Sequence, residues 1–365
     1  MVDDYLHMLL GLLLLITDST AFSSMPNRRR STRRAASSSS AAPLFTIGVL
    51  ADIQYAPIPD GHSFTGNPRY YRHSLDVARH AARHFQDDKV DLVLNLGDIV
   101  DGKCQSIESH GGDDLGEDPG PQCIQHVMDA LNEYSHGPTL HAYGNHCLYN
   151  LDRPGLGRML GIPFRQESCG EWVGYHSHTH GNFKFIMLDS YDVALLRRSK
   201  TSTKHQLASE ILTRSNPNFP ANGNSPEGLF GVQRRFVEFN GGVGKTQLDW
   251  LREELDEARQ RQLKAVIISH QPIHPRSSHP VCLMWNYKDV LSVLRDFRDV
   301  VVASFSGHAH RGGYTLDDHG IHFRVFEAAL ENYPEKTYAI VDMYPDHLRV
   351  RGFGNCQSAV YKFRE

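Results

Sequence analysis

No apolar run among the 365 residues reaches the roughly 18 that a membrane-spanning helix needs. The longest, Leu6 to Thr17, is too short to span comfortably, so the mature domain is expected to form no stable membrane association. Cysteine is sparse as well. Cys104, Cys123, Cys147, Cys169, Cys282 and Cys356 are scattered without a CxxC pair, which excludes a disulfide scaffold and fits a reducing compartment. A basic excess is also missing, because 38 Lys and Arg stand against 42 Asp and Glu for a net charge of -4. With no basic stripe, nucleic acid is excluded as a partner.

A phosphate-binding loop is absent despite one suggestive stretch. "FNGGVGKTQLDW" (239–250) contains GGVGKT, but a Walker A loop needs glycine where Phe239 stands, and the shorter KGGVGKT form needs lysine where Asn240 stands. The preceding segment is broken by Gln233, Arg234, Arg235 and Glu238, so no buried strand leads into it. Leu248, Leu251, Leu255 and Ala258 instead form one apolar helical stripe, and Thr246 with Asp249 reads as a capping box at its start. The expectation is a capped surface helix whose Lys245 is replaceable.

What the chain has is an ordinary globular composition, 40% hydrophobic and 22% charged, with one unusual end. Residues 1–42 carry five arginines against Asp3, Asp4 and Asp18, and read as a disordered targeting presequence. An apolar core followed by an Arg/Ser-rich segment resembles the bipartite presequence of algal plastid preproteins, down to Ala21-Phe22. A secretory signal and a signal anchor are the alternatives, and Asp3 and Asp4 depart from the basic start of all three. An organelle (a plastid among the candidates) or the secretory route is expected, with the cytoplasm as alternative.

Residues 43–365 read as one domain with insertions near 104–121 and 191–229. Strand-length apolar runs at 44–54, 90–101, 139–146, 264–274 and 301–310 alternate with helical patterns at 69–85, 123–135, 245–260 and 287–298. Continuous Val/Ile/Leu runs suit strands buried on both faces, and the alternation predicts an α/β fold. Beyond residue 320 the pattern alternates as antiparallel strands do, and "VGYHSHTHGNFKFIMLDSYD" reads as a hairpin turning at Gly181-Asn182.

Each buried run ends in polar residues of one kind. Asp52 and Gln54 follow the first, Asp98 and Asp101 sit in "GDIVD", and Asn145 and His146 in "GNH". His270 closes "ISH", and His308 and His310 stand in "GHAH". Carboxyl ends of strands in an α/β sheet open into one crevice, so these groups can meet. Oxygen and imidazole donors together suit divalent Mn, Fe or Zn better than calcium or a thiolate site.

The order D-x-[H/Q], G-D-x-x-D, G-N-H, a strand-end His and G-H-x-H resembles the calcineurin-like metallophosphoesterases. "ADIQYAPIPDG", "RYYRHSL", "LGDIVDG", "FNGGVGKTQLDWL", "VCLMWNYKD" and "GHAHRGGY" resemble one branch, the manganese-dependent ADP-ribose/CDP-alcohol diphosphatases. The likeness runs from about Phe45 to Tyr361. It implies a calcineurin-like four-layer fold, two mixed β-sheets packed as a sandwich and flanked by helices. It further implies two divalent ions, manganese foremost with Fe, Zn and Mg as alternatives. One ion would take Asp52, Gln54, Asp98 and His310; the other Asp98, Asn145, His270 and His308, with Asp98 bridging. A hydroxide held between the ions would attack in line, and His146 would stabilise the phosphoryl or leaving oxygen. Substrates would be small nucleoside diphosphate derivatives, ADP-ribose and CDP-choline among them, acted on by a monomer. Other phosphoesterase activities of the superfamily, or a weakly catalytic nucleotide sensor, are the alternatives.

Phe64, Leu195, Leu196, Cys282, Trp285, Asn286 and Tyr287 resemble that branch's specificity region, with Phe64, Leu196 and Cys282 as the substrate contacts. His274 and His279 could line the same pocket. His176, His178 and His180 share a strand face and read as a solvated edge. Cys147 departs from the acid common after GNH; near metals a lowered thiol pKa would make it oxidation-sensitive, whereas a small buried cysteine is the plainer fate.

Overall fold

Alternate residues of a strand face opposite sides of its sheet, and here both sides are covered. In β1 (Phe45–Leu50), Ile47 and Val49 enter one apolar core while Leu50 enters another. The computed structural model describes residues 42–63, 66–106 and 119–364. Phe64, most of the insertion at 104–121 and all but the last residue of the presequence expected over 1–42 lie outside the described residues.

The first sheet starts with β1, β2 (Leu92–Asn95) and β3 (Thr139–His141), which pair in parallel in that order. The chain then builds a second sheet of six strands. These are β4 (His176–His180), β5 (Phe183–Met187), β6 (Lys264–Ile268), β7 (Val301–Ser306), β8 (Gly313–Leu316) and β9 (His322–Val325). Their spatial order is β8-β9-β7-β6-β5-β4. β10 (Tyr338–Met343), β11 (His347–Phe353) and β12 (Ala359–Lys362) return to the first sheet, where β10 lies antiparallel to β1. The hairpin between β4 and β5 turns at Gly181-Asn182, with Gly181 at φ 55°. β9 departs from the antiparallel expectation: it pairs antiparallel with β8 but parallel with β7. Residue alternation is the same in both arrangements, so the pattern alone does not tell them apart.

The inner faces pack against each other through Ile47, Leu94, Phe185, Ile268, Phe305 and Val341. Outside the first sheet lie α1 (His73–Asp87), α2 (Pro119–Leu131), α3 (Asn145–Asn150) and α4 (Arg153–Leu160). α5 (Thr203–Ser215) occupies the 191–229 insertion and packs Ala208 and Leu212 with Val193 and Trp285. α6 (Lys245–Gln260) and α7 (Tyr287–Asp296) cover the second sheet with Leu251, Leu255, Val290 and Leu294. The result is the expected helix–sheet–sheet–helix order.

The capping box expected at Thr246 and Asp249 does not form. Gly244 is the N-cap, without any side-chain cap, so Thr246 is already the second helical residue. Asp249 pairs instead with Lys245, one turn back and exposed, at 2.5 Å. Among the described residues no helix is long and apolar enough to cross a membrane.

Candidate metal centre

The carboxyl ends of β1, β2, β6 and β7 bring the strand-end residues together, and the backbone there is bent to do so. Asp52, Gln54, Asp98 and His308 all have left-handed backbone, at φ 49°, 44°, 55° and 65°. Such conformations cost non-glycine residues about 1–3 kcal/mol each, and surrounding structure must hold them. Gln54 N–H donates to Asp98 O at 2.8 Å, and Asp52 N–H to Gly97 O at 3.2 Å, tying the two loops together. The glycines before Asn145 and His308 permit close approach. A β-carbon at Gly144 would lie 2.0 Å from Asp98 Oδ1, and one at Gly307 2.5 Å from Asp52 Oδ2.

Asp98 stands at the centre. Its Oδ1 accepts from His146 N–H at 2.8 Å; its Oδ2 lies 3.1 Å from His270 Nε2 and 3.2 Å from Gln54 Nε2. Asp52 Oδ1 lies 3.4 Å from His310 Nε2 and 3.9 Å from His270 Nε2, and Oδ2 accepts from His308 N–H at 2.9 Å. Donor atoms of Asp98, His270 and His308 lie within 4.8 Å of one another.

Each histidine has one nitrogen held by a neighbour, which leaves the other for a cation. His270 Nδ1 donates to Leu96 O at 2.7 Å, and His310 Nδ1 to Glu331 Oε1 at 2.6 Å. His308 Nε2 donates to Asn240 Oδ1 at 2.8 Å. Asn145 is steadied by Tyr191, whose hydroxyl donates to Asn145 Oδ1 at 3.0 Å. Tyr191 is placed in turn by Arg153, which reaches its carbonyl and pairs with Asp189 at 2.7 Å.

The residues fit a divalent cation. Gln54 Oε1 is buried without a hydrogen-bond partner, and Asp52 Oδ1 and His270 Nε2 meet only ion-pair neighbours at 3.1–3.9 Å, an expensive arrangement for protein alone. A 180° turn of the Gln54 amide would bring Oε1 where Nε2 now faces Asp98 and His310. Electrostatics agree with the donor set. Burial alone lowers a histidine, and with His270 beside it His308 falls to about 3. For His270 and His310 burial is outweighed by Asp98 and Asp52 respectively, and each rises to about 9. Burial likewise opposes ionisation of both carboxyls, yet the neighbouring imidazoles hold Asp52 and Asp98 below the usual range.

His146 sits at the start of α3. Gly102 N–H donates to its Nδ1 at 2.9 Å, so the ring hydrogen is carried by Nε2. Asp101 Oδ2 lies 3.2 Å from the same Nδ1 and is held by Arg69 at 3.5 Å; Asp101 touches His146 and is not among the clustered donors. Cys147 is fully buried, which pushes its thiol up to about 12. The charge of Asp98 adds to burial in opposing the thiolate, so the sulfur follows the plainer of the two fates weighed for it.

The other candidates divide. Leu195 and Leu196 line a cavity of about 350 Å³ beside α3. Cys282 lies on a short turn, its thiol pushed up to about 12 by burial and by the charge of Asp52. Trp285 and Tyr287 are core residues, Asn286 binds the Val243 backbone, and His274 is buried against the Phe323 ring at 4.9 Å. His279 caps the Pro280–Cys282 turn. His176, His178 and His180 lie on edge strand β4 but are half-buried rather than solvated, with His180 packed on Phe45. Sequence reasoning missed Tyr191, Asn240 and Glu331. Only Asn240 gave a signal, standing where the phosphate loop would need lysine.

Known proteins resemble this chain over most of its length. A protein of Oryza sativa subsp. japonica named manganese-dependent ADP-ribose/CDP-alcohol diphosphatase is 40% identical over 85% of this chain and 91% of its own length. A human protein of the same name is 35% identical over 88% of this chain and 94% of its own. The crystal structure of a dimetal phosphatase from Danio rerio superposes with a TM-score of 0.78 at 32% identity, covering 88% of this chain and all of that one. Residues 45–312 match the family described as calcineurin-like phosphoesterase. That span reaches from β1 to just past His310, and the chain belongs to the calcineurin-like phosphoesterase family.

Proposed function

We propose that this protein is a manganese-dependent diphosphatase that cleaves the pyrophosphate bond of ADP-ribose and of CDP-alcohols such as CDP-choline. The products are a nucleoside monophosphate and a phosphorylated sugar or alcohol. The buried cluster around Asp98 carries the reading, and the names of the rice and human relatives support the substrate class.

Asp52, Gln54, Asp98 and His310 would hold one cation, and Asp98, Asn145, His270 and His308 the other. Two such ions supply neutralisation of the phosphoryl oxygens and water acidified near neutral pH. The protein's own part is to hold these donors rigidly through Leu96, Asn240, Glu331 and Tyr191. His146 carries a hydrogen on Nε2 and is positioned by Gly102 to donate it to a phosphoryl or leaving oxygen.

Phe64, Leu196 and Cys282 are proposed to contact substrate, residues 1–42 to be a cleaved presequence for an organelle or the secretory route, and the mature protein to be a monomer. Incubation with ADP-ribose, CDP-choline, a phosphomonoester and a cyclic nucleotide, with and without manganese, tests the activity. Manganese-dependent release of AMP and CMP is expected; cleavage of only the monoester or the cyclic nucleotide would end this reading.

A further inference from the structure

The cavity beside α3 has one feature that the metal centre does not explain. Glu238 lines it, yet its carboxylate makes no hydrogen bond or ion pair with the described residues. Its backbone N–H donates to Gly223 O at 3.0 Å, and its carboxyl group lies against Gly223, where a β-carbon would come within 2.4 Å of Cδ. The side chain is half-buried, and that burial raises its pKa. The one arginine in the lining does not supply that partner. Arg197 is spent on backbone carbonyls, those of Leu148 at 3.1 Å, Tyr149 at 2.5 Å and Asn150 at 2.9 Å.

The rest of the wall is mixed: the amides of Gln105 and Asn224 stand beside Leu148, Leu195, Leu196 and the ring of Tyr149. Tyr149 stands edge-on to His146 with ring centroids 5.6 Å apart, so the cavity begins where the phosphoryl group would be held. One unpaired carboxylate beside an aromatic ring and leucine side chains is what an ammonium head prefers. The charge finds its counter-ion, and the carbon substituents find apolar surface. A neutral polyol could bond the amides of Gln105 and Asn224 but would leave the carboxylate without a counter-charge.

Resting on the diphosphatase reading, we propose that this cavity is the alcohol subsite, where Glu238 and Tyr149 select CDP-alcohols with a cationic amine head over neutral polyols. The two-carbon tail of choline or ethanolamine would run from the phosphoryl at His146 into the cavity, setting its nitrogen against Glu238.

Glu238→Gln keeps the shape and removes the charge. With the full chain and manganese, the ratio of kcat/KM for CDP-choline to that for CDP-glycerol should fall about tenfold in this variant, chiefly through KM. An unchanged ratio, with both substrates weakened alike, would overturn the subsite. Calorimetric titration of the manganese-loaded parent with phosphocholine and with glycerol 3-phosphate reads the same discrimination without turnover. Tighter binding of phosphocholine that Glu238→Gln abolishes supports the proposal, and equal affinities in the parent refute it. If the parent hydrolyses no diphosphate substrate, the diphosphatase reading falls, while these titrations still decide the subsite.

Discussion

His310 gives its Nδ1 hydrogen to Glu331 at 2.6 Å, which turns Nε2 toward Asp52 Oδ1 at 3.4 Å. A histidine whose far nitrogen is held by a carboxylate has a fixed tautomer and a more basic ligand nitrogen. Glu331→Gln should therefore weaken manganese affinity by about 10–100-fold while the fold stays intact. Titrating activity against manganese checks this; an unchanged midpoint would mean that Glu331 does not orient the ligand.

Asn240 and Lys245 lie in one glycine-rich stretch but should behave oppositely. Asn240 is fully buried, accepts from His308 and donates to the carbonyls of Arg235 and Val281. Asn240→Ala should cost about 10–100-fold in metal affinity or activity. Lys245 is exposed and, among the described residues, pairs with Asp249 alone, so Lys245→Ala should alter stability by less than about 0.5 kcal/mol and leave turnover in place. Thermal melts and kcat for both variants separate this account from one in which the stretch binds nucleotide phosphates.

Metal removal should invert the pH dependence of stability. In the absence of a cation His270 and His310 titrate at about 9, above the ordinary 6.5 of the unfolded chain. A raised folded value contributes stability that is complete below pH 6.5 and is lost as pH rises through 9. The chelator-treated protein should thus melt at progressively lower temperature across that window. The manganese-loaded protein should gain instead, because the cation competes with those protons. Calorimetry with and without chelator decides it; a flat or rising melting curve for the chelated protein would contradict the electrostatic assignment.

His146 should separate chemistry from metal binding. Its Nε2 hydrogen is directed by the Gly102 bond to Nδ1, and its side chain is not among the clustered donors. His146→Ala should lower kcat about 10²–10⁴-fold with little change in the manganese midpoint. A shifted midpoint with kcat preserved would make it a ligand and not a proton donor.

The donors were legible because parallel strands buried on both faces read as Val/Ile/Leu runs, and whatever polar residue ends such a run faces the crevice. Asp52, Asp98, His270 and His308 follow that rule directly. Asn240, Glu331 and Tyr191 do not, since each reaches the site from a loop or a single helical turn placed by distant packing. Tyr191 depends on the buried Arg153–Asp189 pair, whose partners are far apart in sequence. The same limit explains β9, whose alternation fits either strand direction, and Cys147, whose burial fixes its pKa in a way its position after GNH does not reveal.

The most direct test of the central claim is hydrolysis of ADP-ribose in ¹⁸O-water with manganese, with parent and Asp98→Ala run in parallel. The parent should yield AMP and ribose 5-phosphate in equal amounts, with one ¹⁸O on a phosphate of one of them, and the variant should yield neither. Adenosine, free phosphate or undiminished turnover by the variant would contradict it.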